Sequence, residues 1–147
     1  MDLRKAVGCR PLLQVGASVI VEDDQGRALL QLRSDSRCWA YHGGSVELDE
    51  RVEDAARREL LEETGLTAGE MTLLGVFSGP EMHHVYPNGD EVSCVDVVYL
   101  CRDYAGTLKC QSGEVEALRF FPADQLPAPL SPPCIPALRQ WRAAKKP

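Results

Sequence analysis

Three glutamates, Glu59, Glu62 and Glu63, stand within five positions of one another in the stretch GSVELDERVEDAARRELLEETGL, which spans 44–66 and whose residue types predict a helix. At about 100° per residue, all three fall within about 60° of Glu59 on the helix surface, and so do Val52, Ala55 and Ala56, the small and apolar residues that must face inward. An ordinary surface helix keeps its acids on the face opposite its apolar stripe, where water solvates them. Here the acids and the stripe coincide. Like charges four apart on a helix cost roughly 0.2–0.5 kcal/mol per pair, so the arrangement asks for a compensating cation. A hard divalent ion such as Mg²⁺ fits, because it takes oxygen ligands, keeps several waters and shares its shell with substrate phosphates. The competing reading is a solvated charged helix laced by salt bridges.

The helix has recognisable ends. Asp49 or Glu50 supplies negative charge at its start, Ala55 to Leu61 are mostly good helix formers, and Gly65 can close it. Arg58 precedes the first of the inward acids and can aim a forked guanidinium at a neighbouring carboxylate, which gives it an orienting role.

These residues resemble the Nudix box: Gly, five residues, Glu, seven residues, then Arg-Glu-aliphatic-any-Glu-Glu-any-Gly-aliphatic. Gly44, Glu50, Arg58, Glu59, Leu60, Glu62, Glu63, Gly65 and Leu66 fill every fixed position. The resemblance implies metal-dependent hydrolysis of a phosphoanhydride bond in a nucleoside diphosphate linked to another group, with Mg²⁺ or Mn²⁺ as cofactor. It implies Glu59, Glu62 and Glu63 as metal ligands, the Gly44 carbonyl as a further one, and Glu50 as a supporting acid of the loop. In phrasing, GVFSG followed by YPNGDEV is similar to a bacterial group described as ADP-ribose pyrophosphatase-like. ADP-ribose or a nucleotide sugar is therefore the leading substrate, and a nucleoside triphosphate handled in a sanitising role the alternative. ADP-ribose-directed relatives tend to carry a proline about sixteen positions past the box, and those directed at dinucleoside polyphosphates a tyrosine slightly farther on; Pro80 lies fourteen positions past Leu66 and Tyr86 twenty, so neither spacing matches. A regulatory domain that binds nucleotides without cleaving them is a third reading, which the intact box acids oppose.

Two positions depart from the family pattern. His42-Gly43-Gly44 stands where relatives usually carry Pro-Gly-Gly, so the fixed φ of proline is missing and His42 is free to touch a phosphate or to be a plain loop residue. Asp49 stands where glycine is common, and Asp tolerates a left-handed backbone better than most residues. Trp39, Tyr41 and Tyr86 are candidates for stacking on a base, with packing as the plainer role for each. Relatives often draw a base from outside the box. Glu116, or its neighbour Glu114, is the candidate here, the two sharing a face if a strand begins there.

The chain has 147 residues, 44% hydrophobic and 26% charged, which fits one domain over 1–147. A net charge of −6 argues against a nucleic-acid polymer as partner, because phosphate backbones recruit a basic face. No apolar run is long enough for a membrane span and the start lacks a leader pattern, so a cytoplasmic address is expected, with a homodimer left open. The six cysteines show no zinc-like spacing and are expected as free, mostly buried thiols.

Along the chain, 16–22 and 27–33 read as a hairpin around the turn 23–26. Further strands are expected at 71–77, 92–101 and 118–121. The segment 79–91 is too long and polar for a tight turn and should overhang a cleft. His83 and His84, being adjacent, point to opposite faces and make a poor chelating pair. A helical turn at 122–126 and a last helix over 137–146 complete the reading. Strands on both sides of one long helix fit an α/β fold, and the resemblance implies an α/β/α sandwich with a mixed sheet.

Overall fold

The computed structural model describes residues 5, 6, 8, 10–86, 88–110 and 113–145. Cys9, Pro87 and Lys146, used in the sequence reading, lie outside them. The strands are β1 (Leu12–Val21), β2 (Ala28–Arg33), β3 (Trp39–Ala40), β4 (His42–Ser45), β5 (Thr67–Ala68), β6 (Thr72–Phe77), β7 (His83–Val85), β8 (Glu91–Cys101), β9 (Tyr104–Ala105) and β10 (Val115–Phe121). The helices are α1 (Val52–Thr64) and α2 (Ile135–Ala144). The main sheet runs β4-β1-β8-β6, with β7 also pairing to β8; a second sheet runs β10-β2-β3. β1 and β8 are parallel from Leu12↔Val92 to Val21↔Cys101, whereas the other pairs of the main sheet are antiparallel. The sheet is therefore mixed. Among the described residues, no helix is long and apolar enough to cross a membrane.

The expected hairpin between the first two strands does not form. Its turn does: Asp23 N–H donates to the Arg27 carbonyl at 2.9 Å, and the Asp23 carboxylate accepts from the Gln25 and Arg27 N–H groups at 3.0 and 2.8 Å. Beyond a single bridge, Glu22↔Ala28, the strands part into different sheets. The reason lies in β1 itself, where Ala17 to Val21 are buried at every position. A strand apolar on both faces belongs inside a sheet, between helices, and such continuous runs are typical of parallel pairing. The last helix starts at Ile135, and Pro136 sits in its first turn, where a missing N–H breaks no bond. Residues 122–125 form a turn, closed by Gln125 N–H on the Pro122 carbonyl at 3.0 Å, and not a helix.

Alternation along β1 divides the core. Ala17, Val19 and Val21 pack with Ala55, Ala56 and Leu60 of α1, while Ile20 packs with Ala137, Leu138 and Trp141 of α2. The main sheet is thus covered by a helix on each face. Of the described cysteines, all free, Cys101 and Cys134 are buried, Cys38 and Cys94 half-buried and Cys110 exposed.

At the end of β1, Glu22 is 4% exposed and ties α2 to the sheet. Its carboxylate accepts from Trp141 Nε1 at 2.8 Å, from Lys145 Nζ at 2.7 Å and from Arg102 Nε at 2.7 Å. Burial alone would raise its pKa, but the bonds from Lys145, Arg102 and Trp141 outweigh that and hold it below the usual carboxylate range. The lowered folded pKa means this stabilisation is fully present above the unfolded value, near 4.3, and is lost as pH falls through the folded one. Glu22→Gln should therefore destabilise the protein by about 3 kcal/mol at pH 7. Urea unfolding should show the gap between variant and wild type narrowing below pH ~4; a variant with wild-type midpoints at neutral pH would contradict this role.

Candidate active site

The box folds as a loop and a helix locked together by one arginine. β4 ends at Ser45, and the following turn holds Asp49 at φ 62, the left-handed region that glycine adopts most readily. Gly65 ends α1 at φ 81, its N–H on the Leu61 carbonyl at 2.9 Å. The helix begins at Val52, later than expected, so Glu53 and Asp54 supply the charge of its first turn and Glu50 is released for another task. Arg58 grips Glu50 with two N–H groups, Nε at 2.9 Å and an Nη at 3.0 Å, and donates to Glu59 at 3.0 Å and to the Ser45 carbonyl at 3.2 Å. Glu50 also accepts the Glu47 N–H at 3.0 Å. The Arg58 hydrogen bonds lower the Glu50 pKa and raise that of Arg58 itself.

The inward arc is shifted from its expected centre. Ala55, Ala56, Leu60 and Thr64 form the buried stripe, so Glu59 and Glu63 lie on its flank with side chains 16% and 13% exposed, and Glu62 at the outer rim with 59%. Glu59 lies directly against Gly44, where any side chain would overlap its carboxyl group. Glu63 accepts from Gln31 Nε2 at 2.9 Å and lies 3.3 Å from His42 Nδ1. Burial first, then the negative charge of Glu63, raise the Glu59 pKa against the opposing pull of Arg58. Among the described residues, no three His, Cys, Asp or Glu side chains close on a common point. The donor types nevertheless suit a hard divalent ion: two shielded carboxylates that repel each other, a third at the rim, and the glycine backbone of β4 beside them.

A cavity of about 400 Å³ opens beside this cluster, its wall including Gly44, Ser45 and Glu63 from the box together with Tyr41, Met82, Tyr86 and Glu114. The 79–91 segment thus reaches the cleft as expected, through Met82 and Tyr86, although it is more ordered than a loop: Pro80–Met82 form a 3-10 turn and β7 pairs with β8. His83 and His84 do not act together, since His83 Nε2 contacts Glu91 at 2.9 Å and His84 packs edge-on to Tyr86.

Three expected site residues are displaced from the cavity wall. Trp39 packs edge-on against Phe121 and joins the core under α2. His42 is fully buried in β4, which pairs with β1 along its length, so it meets Glu63 and no solvent-borne phosphate; among the described residues its Nε2 has no hydrogen-bond partner. Glu116 falls at a register shift of β10 and pairs with the exposed Arg37, leaving Glu114, paired with Arg33 at 3.0 Å, as the acid that borders the cavity. The sequence reading missed Gln31 and Asp96. Asp96 had a signal: a lone acid inside the apolar run Cys94–Val98 is either an error of register or a buried acid with partners.

The two glycines of β4 differ in what they protect. A Cβ on Gly43 would overlap Ser18 and lie 2.7 Å from the Ala17 carbonyl oxygen, which is backbone and unable to yield. A Cβ on Gly44 would meet only the movable end of Glu59. Gly43→Ala should cost about 2 kcal/mol of stability, seen in urea unfolding. Gly44→Ala should leave stability within about 1 kcal/mol but weaken Mn²⁺ binding about tenfold in calorimetric titration, roughly 1.4 kcal/mol. Equal stability losses in the two variants, with unaltered ion binding, would refute the distinction.

The family model described as the NUDIX domain matches residues 12–141. An ADP-ribose pyrophosphatase from Methanocaldococcus jannaschii is 36% identical over 77% of this chain and 64% of its own length. A putative 8-oxo-dGTP diphosphatase from Bacillus subtilis is 42% identical over 45% of this chain and 44% of its own. The chain thus spans less than two thirds of either relative. Among solved structures, a MutT NUDIX hydrolase from Burkholderia pseudomallei superposes with a TM-score of 0.75 at 34% identity, covering 88% of this chain and 98% of that one. With its box geometry, its mixed sheet between two helices and a family match that takes in most of its residues, this chain belongs to the Nudix family.

Proposed function

We propose that this chain is a single Nudix domain that hydrolyses a phosphoanhydride bond of a nucleoside diphosphate joined to another group, with ADP-ribose or a nucleotide sugar as the leading substrate and Mg²⁺ or Mn²⁺ as cofactor. The observation that carries the reading is that Glu63 and Gly44 line a cavity large enough for a nucleotide, with the largely shielded carboxylate of Glu59 directly against Gly44. The Gly44 carbonyl, Glu59, Glu62 and Glu63 would hold the ion. Bound there, it supplies charge neutralisation for phosphoryl oxygens and acidifies a bound water.

The protein's own groups set positions. Arg58 fixes Glu59 and clamps Glu50 across the loop, so the ligand-bearing turn of α1 and the end of β4 keep their spacing. Gln31 and His42 hold one oxygen of Glu63 and so define which way its carboxylate turns. Glu114 takes the role of proton acceptor from the attacking water, a role the sequence reading gave first to Glu116. Tyr41 and Tyr86 border the space for the rest of the nucleotide.

Support for the substrate class comes from the extent of likeness. The Methanocaldococcus relative aligns over 77% of this chain, well beyond the box, whereas the Bacillus relative aligns over 45%. The box supplies chemistry common to the family, so the portion of the Methanocaldococcus match that lies outside it is what supports the leading substrate. The deciding experiment is incubation with Mg²⁺ and a panel of ADP-ribose, nucleotide sugars, dinucleoside polyphosphates and triphosphates, with products separated by chromatography. AMP plus ribose phosphate is the expected outcome; pyrophosphate released from a triphosphate would favour a sanitising role instead.

Two sets of variants test the roles. Glu63→Gln should stay folded by circular dichroism and lose at least about a hundredfold in turnover, about 2.7 kcal/mol; a near-normal rate at saturating Mg²⁺ would overturn the ligand assignment. Glu114→Gln should slow turnover by about 10²-fold, while Glu116→Gln should remain within about twofold. The reverse ranking would return the base role to Glu116.

A further inference from the structure

Asp96 is a buried carboxylate in the cavity wall that the proposed hydrolysis leaves unused. It lies on β8 and is 9% exposed. Its Oδ1 accepts from Ser18 Oγ at 2.7 Å, and its Oδ2 accepts from the Tyr41 hydroxyl at 2.7 Å. An ionised carboxylate has about four lone-pair sites, so each oxygen retains one after these bonds. Gly16, its partner in the parallel register, offers no side chain to cover Oδ1; a Cβ there would lie 3.5 Å from that oxygen. Ala40, Met82, Cys94 and Cys134 supply apolar surface to the same wall. The carboxylate is thus held in place by two donors and left half satisfied.

We propose that Asp96 is a specificity-determining residue that accepts a hydrogen bond from the exocyclic amino group of the substrate's base. The inference rests on the reading that this cavity receives a nucleotide. An ionised carboxylate only accepts, so it rewards an N–H at that position and gains nothing from a C–H. A site built around a hydrogen bond discriminates strongly against an analogue that lacks the partner, because the buried acceptor is then left unpaired. Ser18 and Tyr41 keep the acceptor oriented, the condition for selectivity rather than mere attraction.

The test separates base recognition from hydrolysis by measuring binding alone. Calorimetric titrations of the full chain with Mg²⁺ present compare AMP, which has no phosphoanhydride bond to break, with purine riboside 5′-monophosphate, which differs only in lacking the amino group. Wild type should bind AMP at least tenfold more tightly. Asp96→Leu, similar in shape but without an acceptor, should reduce that ratio below threefold while binding of the purine riboside phosphate stays within threefold of wild type. Ser18→Ala, which keeps the carboxylate but removes one of the two bonds that orient it, should give a ratio between those of wild type and Asp96→Leu. Equal binding of the two nucleotides by wild type, or no binding of AMP, overturns the proposal whether or not any variant folds; so does an Asp96→Leu protein with the ratio intact. Loss of hydrolysis with a preserved AMP preference would sink the reaction and leave Asp96 standing.

Discussion

Arg58 is the charge on which the site depends. Its guanidinium joins three pieces of chain that share no backbone hydrogen-bond ladder: the loop through Glu50, the end of β4 through the Ser45 carbonyl, and α1 through Glu59. A lysine could supply the charge but not the fork, since the bonds to Glu50 use two nitrogens of one plane. The balance it leaves is incomplete. Glu50 is drawn below its ordinary pKa, yet Glu59 stays above its own, because burial and the charge of Glu63 outweigh what one cation in contact can offset. A helix face with this residual negative charge is stable only as part of a fold that fixes it, and its remaining demand is for positive charge on the cavity side.

The fixing comes from strand alternation. Along β1, Ala17, Val19 and Val21 anchor α1, and the intervening positions Gly16 and Ser18 face the cavity wall. One strand therefore carries both the support of the ligand-bearing helix and the floor of the substrate space. β4 must lie close to it, and Gly43 makes that approach feasible, since any side chain there would strike Ser18 and the Ala17 carbonyl. A shift of β1 by one residue would exchange the two faces and dismantle helix packing and cavity together.

Much of this was legible in the residues because it rests on local spacing. The helix with its glycine stop, the tolerance of Asp49 for a left-handed turn and a forked grip of Arg58 on a nearby carboxylate, which proves to be Glu50, all follow from contacts within a short length of chain. What depended on distant partners was not. The turn at 23–26 was readable, but whether β1 and β2 pair across it was decided by β8, eighty positions further on in the register Leu12↔Val92 to Val21↔Cys101 and thus invisible to a local window. Trp39 looked like a stacking platform until Phe121 and α2 took it into the core. Glu114 and Glu116 looked equivalent until a register shift in β10 gave each a different arginine. Helical periodicity placed the three box glutamates together, yet Leu60 and Thr64 pulled the buried stripe to one side and left Glu62 at the rim.

The charge pattern of the cavity bears on what can enter it. Among the described residues of its wall, Arg33 is the one basic side chain, against the acids Asp35, Glu63, Asp96 and Glu114. Arg33 is already engaged by Glu114 at 3.0 Å, by Asp35 at 3.4 Å and by the Gln31 amide oxygen at 3.3 Å. A bare diphosphate approaching such a wall meets like charge, and the net −6 of the chain adds to the repulsion at long range. A diphosphate whose charge is met by a divalent cation reverses that sign locally. On the proposed reading, the acidic wall is therefore itself a filter: it disfavours free phosphate groups and admits those that bring, or find, the positive charge that Glu59 and Glu63 lack.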